Sequence, residues 1–360
     1  MEKRSETKKK LIIMMIVLLM IGCGQQTEGQ VSGGDKQGVG SLSKALMEVG
    51  RSVEKVFYAL IELVSYTLGL RVTKDTKKSE VAGYFNNLGV KLGEASDELE
   101  QVAVKATADA DKDGLLNKSV REAVNAAKEV LSTLKGHLES LKDIGDANKV
   151  VDVTSNQQGV AADAEKLKTV YNALKGIVDT AKTGGEVKEP STSNVTLASN
   201  SIGVTDAKNG AKVLTTGAAG AAVGDKAAAI VSAVSGGEIL AAVVKSGESD
   251  AALTANATAD TSAISFAKGG ATADHLAQDT AKAAAVSGGI ALRSLVKGGK
   301  LASGAADGSS GGKEEVQKVG ITAANKLLVA VEDIIKKTVK NVLEKAKEKI
   351  DKARNPKTAE

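Results

Sequence analysis

At 360 residues the chain is long enough to bury a sizeable core, as one large domain or two ordinary ones. Hydrophobic residues make up 42% but aromatics only 2%, with 38 Gly, 2 Pro and no Trp; an apolar content carried by Ala, Val and Leu excludes a β-sandwich or barrel and favours helices. The net charge of +4 does not indicate a nucleic-acid partner, because Lys3, Arg4, Lys8, Lys9 and Lys10 against Glu2 and Glu6 supply +3 of it in a segment read below as cleaved. No concentrated basic face with stacking rings is left in the remainder.

The first residues carry the clearest signal. A basic stretch ending in Lys8-Lys9-Lys10 precedes an unbroken apolar run from Leu11 to Ile21. As a helix these residues span about 16 Å, roughly half a bilayer core, which suits the h-region of a signal peptide and not a stable membrane span. The run ends Leu19-Met20-Ile21-Gly22-Cys23. A small residue directly before the single cysteine resembles a bacterial lipoprotein box, with Met20 where Leu is more usual. On this reading residues 1–22 are removed by cleavage after Gly22. Cys23 then carries an S-diacylglycerol and an N-acyl chain, so it is a membrane anchor and not a redox or metal residue. Residues 23–40, rich in Gly, Gln and Ser, are expected to form a flexible tether.

Residues 41–355 are expected to form a single helical domain, with a disordered tail at 356–360. Apolar residues recur at alternating spacings of three and four, the mark of a stripe on one helix face. One series runs from Leu42 to Leu63. The next is Val81, Phe85, Leu88, Leu92, Ala95, Leu99, Val102 and Ala106. A third is Val120, Val124, Ala127, Leu131, Leu134, Leu138 and Leu141, and a fourth is Val160, Ala164, Leu167, Tyr171, Leu174 and Val178. Ser119 and Glu122 have capping-box spacing at the start of the third. Short loops between antiparallel helices are expected, and Phe57, Tyr58, Tyr66, Tyr84 and Phe85 read as bulky core residues.

From about Gly184 to Gly312 the composition shifts to Ala and Gly with Ser and Thr. The small-residue run Gly217–Gly224 reads as a close helix contact. Ala233-Val234-Ser235-Gly236-Gly237 recurs as Ala285-Val286-Ser287-Gly288-Gly289, which predicts two similar helical hairpins with each Gly pair ending one helix before the next begins. The last helix is predicted over 313–354, with an apolar stripe of Val316, Leu327, Leu328, Val331, Ile334, Ile335, Val339, Val342, Leu343, Ala346 and Ile350. Its second half is rich in lysine, and it is expected to pack along the first long helix near the membrane.

No set of residues assembles a catalytic or metal site, and the chain is read as a non-enzyme without cofactors. His137, in Leu-Lys-Gly-His-Leu, belongs to the face of an amphipathic helix, and His275 lies in an Ala-rich stretch. Asp109-Ala110-Asp111-Lys112-Asp113-Gly114 copies the first half of a calcium loop, but position twelve, which should be a bidentate Glu, is Val120.

The chain resembles the variable large proteins of relapsing-fever Borrelia, in the variable major protein family, which is related to the variable surface antigen of the Lyme spirochaetes. The stretches that carry this are Leu46–Leu68, Ser79–Lys105, Ile264–Gly270, Gly289–Lys297 and Ala323–Arg354, with least resemblance over about 142–207. The resemblance implies an all-α, elongated antiparallel helical bundle with Ala/Gly-rich loops and its long N- and C-terminal helices packed together near the membrane. It further implies a surface-exposed outer-membrane lipoprotein with a variable middle, about 142–312, met by host antibodies. Its one transferable functional residue is Cys23. The alternative is an adhesin for host glycans or proteins that uses the lysine-rich C-terminal face or the Lys268 and Lys297–Lys300 region. A periplasmic solute-binding lipoprotein, usually α/β with more aromatics, fits the composition poorly.

Overall fold

The computed structural model describes residues 68–106, 114–154, 158–220, 223–303 and 311–354. The signal segment, Cys23, the Leu42–Leu63 series, Phe57, Tyr58, Tyr66 and the calcium-loop aspartates lie outside these residues. Ten α-helices follow in the described chain: α1 Lys78–Ala106, α2 Leu115–Ser140, α3 Ala164–Thr183, α4 Ser199–Ile202, α5 Gly224–Ser232, α6 Gly236–Val244, α7 Ala263–Lys268, α8 Ala273–Leu276, α9 Ala283–Leu295 and α10 Lys313–Arg354. The extended structure includes one parallel pair of two-residue strands, β1 (Val153–Thr154) and β2 (Leu301–Ala302). The fold is helical, as the composition predicts.

The chain divides into two compact units. The described residues of one are 95–106, 114–128 and 343–354, parts of α1, α2 and α10. They bury Leu99, Val120, Val124, Leu343 and Ile350, while Lys128 Nζ pairs with Glu100 at 2.7 Å across α1 and α2.

The second unit holds residues 68–94 and the described part of 129–342. Here the amphipathic stripes have done what their spacing requires. Val81, Phe85, Leu88 and Leu92 of α1 are buried, as are Leu131, Leu134 and Leu138 of α2. So are Leu327, Leu328, Val331, Ile334, Ile335, Val339 and Val342 of α10. The centre, however, is α9, in which all thirteen residues are buried. The alanine- and glycine-rich middle therefore contains the innermost helix.

Several local expectations are corrected. Ser119 does not open α2, which begins at Leu115; the capping box that does form is Ser235 with Glu238, at the start of α6. Val160 is not on the α3 stripe: it lies before the helix, exposed, and bonds to Lys300 as an isolated bridge, while Asp163 caps α3 through the amide of Lys166. Leu167, Leu174 and Val178 of the predicted α3 series are buried, together with Val170, Ala173, Ile177 and Ala181, whereas Ala164 is exposed and Tyr171 half-buried. The connections 144–163, 184–198 and 245–262 are longer than predicted. Gly217–Gly220 is loop and not helix.

The repeated Ala-Val-Ser-Gly-Gly takes two different structures. At Ser235 it starts α6, whereas Gly288 and Gly289 lie in the middle of α9. A Cβ on Gly289 would come within 2.5 Å of Phe266 Cβ and 3.0 Å of the Ala267 nitrogen. Glycine thus lets the backbones of α7 and α9 touch. Gly289→Ala is expected to destabilise by about 2 kcal/mol, the cost of pushing two backbones apart outweighing the gain in helix propensity. Gly136, exposed on α2 with open space around it, is the control. Gly136→Ala should stabilise by about 0.5–1 kcal/mol in the same urea titration.

Candidate functional site

Three helices in the second unit end against a cation from a distant element. Helix C-termini leave carbonyls without intrahelical donors and carry the negative end of the dipole, so a positive side chain satisfies both needs. Arg293 closes α7: its Nε donates to Ala267 O at 2.8 Å and Nη2 to Phe266 O at 3.4 Å, while Nη1 donates to Thr215 O at 3.4 Å. Lys78 closes α9 through Arg293 O, Val296 O and Gly299 O at 3.4, 2.8 and 2.7 Å. Lys326 closes α5 through Val231 O and Val234 O at 2.7 and 2.6 Å.

Arg293 and Lys78 are essentially inaccessible to water. Burial pushes the Arg293 guanidinium down to about 9 and the Lys78 ammonium down to about 8; for Lys78, Asp146 and Asp152 work in the opposite direction. The folded value for Lys78 lies below the free lysine value of 10.5. Between these two values the unfolded chain binds more protons, so this group's contribution to stability rises with pH, and below about 8 the fold bears the cost of a buried charge. The destabilisation caused by Lys78→Met should therefore grow by about 2 kcal/mol between pH 7 and pH 10, read from urea titrations of both proteins.

The frame so fixed carries an outward surface of loops. Segment 195–197 bonds to 281–283 (Leu197 N to Ala281 O and Ala283 N to Val195 O, both 2.9 Å). Leu253 N donates to Gly269 O at 2.7 Å, and Ala257 N to His275 O at 2.8 Å. Each loop is pinned by a buried residue, Leu197, Leu253, Ala257 or Leu276, while 203–206, 254–256 and 258–260 are exposed. Those exposed positions can change side chain without reaching the core.

Other sequence candidates are placed as follows. His137 is half-buried on α2, against Gly176 of α3, where a Cβ would overlap its ring; burial lowers its pKa, with Asp179 opposing. His275 sits in the short α8, and among the described residues no group of His, Cys, Asp and Glu could hold a metal ion. Lys268 donates to the backbone carbonyl of Asp250 at 2.5 Å, and Lys300 pairs with Asp152 at 2.8 Å. Among the described residues no single helix is long and apolar enough to cross a membrane; α5 and α6 qualify only as a pair bent by 93°, and their Ile230, Val231, Ile239, Leu240 and Val243 are core residues. The buried cations were missed in the sequence, although Arg293, one charge in an apolar run, was a visible signal.

Comparison with known proteins identifies the family. Residues 53–350 match the family model described as Borrelia lipoprotein. Variable large protein 25 of Borrelia hermsii is 61% identical over 351 residues, 96% of this chain and 95% of that protein. Variable large protein 18 of the same organism is 58% identical over 348 residues, 96% and 94% of the two chains. Variable large protein 12 is only 26% identical yet aligns over 342 residues, 94% of this chain and 90% of that one. The crystal structure of the Lyme disease variable surface antigen VlsE of Borrelia burgdorferi superposes with a TM-score of 0.61 at 25% identity, covering 77% of this chain and 96% of that one. The match to the family model over residues 53–350 and the 61% identity to variable large protein 25 place the chain in the Borrelia lipoprotein family, among the variable large proteins.

Proposed function

We propose that this chain is a lipid-anchored, surface-exposed antigen of the outer membrane, and that exchanging it for another version with different loops removes the target of host antibody. The observation that carries the reading is the spread among relatives from one organism, from 61% to 26% identity at nearly constant length. The fold supplies a physical reason why such variation is tolerated. Stability rests on the interior, on α9 and the cations that close α5, α7 and α9, whereas antibody meets loop side chains that contribute little to folding. Acyl chains on Cys23 would hold the body at the cell surface, with outer-membrane lipid and host antibody as its partners.

The test is to sequence the expressed gene in clones taken from successive bacteraemic peaks of one infection, and to titrate each peak's serum against each clone. Replacement of the allele, with serum from one peak failing on the next, supports the reading. One unchanged sequence through every peak, growing in the presence of antibody that binds it, would rule it out.

A further inference from the structure

Residues 68–72 lie along α10 as an extended strap, and two side chains of α10 hold its backbone. Asn325 accepts from Val72 N–H at 2.8 Å and donates to Val72 C=O at 3.0 Å, the pair of bonds a neighbouring strand would offer. Glu332 is nearly buried and accepts on Oε1 from the consecutive amides of Gly69 and Leu70, at 3.1 and 3.0 Å. Gly69 has φ +119°, a conformation that costs glycine little and lets two successive amides converge on one carboxylate oxygen. Tyr84 Oη donates to the same oxygen at 2.6 Å, and Arg71 Nη1 reaches Oε2 at 3.3 Å.

The strap and the chain after it are secured differently. Within the strap Val72 is buried, Leu68 and Leu70 are half-buried, and Gly69 and Arg71 are exposed. The turn that follows is closed by Thr73 N donating to Thr76 Oγ1 at 2.9 Å and Thr76 N to Thr73 O at 3.3 Å, and it is tied to the body through Asp75, which pairs with Lys149 Nζ at 3.0 Å. Beyond it the chain is fixed by separate bonds, Val150 N to Thr76 O at 2.7 Å and Lys78 N to Asn148 O at 2.9 Å. The strap's bonds to α10 and the turn's bonds to residues 149 and 150 are thus separate sets, and the strap can swing at the Val72–Thr73 junction while the turn stays fixed.

We propose that Glu332 and Asn325 are a latch: the strap opens and recloses as a unit at the Val72–Thr73 junction while the turn after it and the rest of the body stay folded. The latch does not depend on the reading of Cys23 as an anchor.

Amide hydrogen exchange on the full-length chain carrying Cys23→Ser tests the latch without any lipid. In Glu332→Ala the amides of Gly69 and Leu70 should exchange at least about tenfold faster, and in Asn325→Ala that of Val72 likewise, with α9 amides unchanged within about twofold. Glu332→Gln keeps the side chain's shape and should give a smaller effect in the same direction, so the test survives a poorly folding alanine variant. The latch is overturned if the strap amides respond to neither substitution, or if they lose protection in step with α9.

Discussion

Replacing Arg293 with Met is expected to lower the unfolding free energy by about 3–5 kcal/mol, measured by urea titration. The guanidinium has no carboxylate beside it. Its donors go to the carbonyls of Phe266, Ala267 and Thr215, and the first two belong to the last turn of α7. Met fills much of the volume but donates nothing. Thr215 O keeps a bond from Gly159 N at 3.2 Å, so the loss falls on the α7 end, where buried acceptors are left facing apolar side chains. Against this stands the desolvation that a buried charge no longer suffers, which makes the experiment informative: buried ionic groups elsewhere can be replaced by hydrophobic ones at no cost. Unchanged stability in Arg293→Met would mean that the interior needs only the volume at this position. Arg293→Lys should recover less than half of the loss, because one ammonium cannot reach acceptors spread across the planar fork. A loss of this size is a large share of the about 5–15 kcal/mol that holds a typical domain.

How much of this was legible in the sequence depends on whether a helix meets water. α1, α2 and α10 have a wet face and a dry one, so their apolar residues recur at helical spacing, and the predicted stripe of α10 is buried residue for residue. α9 has no wet face. A helix buried on all sides has no amphipathic period, and its Gly288-Gly289 pair looks like a chain break when it is in fact where α7 comes closest. The two copies of Ala-Val-Ser-Gly-Gly make the same point, for Ser235 caps a helix while the Ser287 hydroxyl is buried in one without a hydrogen-bond partner. Five identical residues cannot encode which of these forms; the packing around them decides. Lys78 and Lys326 were unreadable for another reason. Among so many lysines, most of them solvated, nothing local marks the two that turn inward to close helices far away in sequence. The buried residues that pin the loops, Leu197 and Leu253 among them, emerged only from the fold.

Cys23→Ser should abolish membrane attachment while leaving the fold intact, the largest effect expected of any single substitution in the chain. The thiol would form the thioether to diacylglycerol, and cleavage between Gly22 and Cys23 would then free an amine for the third acyl chain. Serine offers no thiolate, so the first step fails and the others do not follow. Each buried methylene contributes about 0.8 kcal/mol, and three chains of roughly fifteen methylenes amount to tens of kcal/mol, where one chain alone binds only reversibly. Loss of those chains moves the protein from effectively permanent attachment to none. Phase separation in a cloud-point detergent checks this directly. The native chain should enter the detergent phase and incorporate labelled palmitate, and the variant should stay in the aqueous phase, unlabelled, with the same helical circular dichroism. Detergent partitioning and label retained in Cys23→Ser would place the anchor elsewhere, and equal aqueous partitioning of both proteins would mean that the box ending in Gly22-Cys23 is not processed. On the proposal that Cys23 is the anchor, the Cys23 and Arg293 variants should fail in opposite ways: one folded but released, the other attached but less stable.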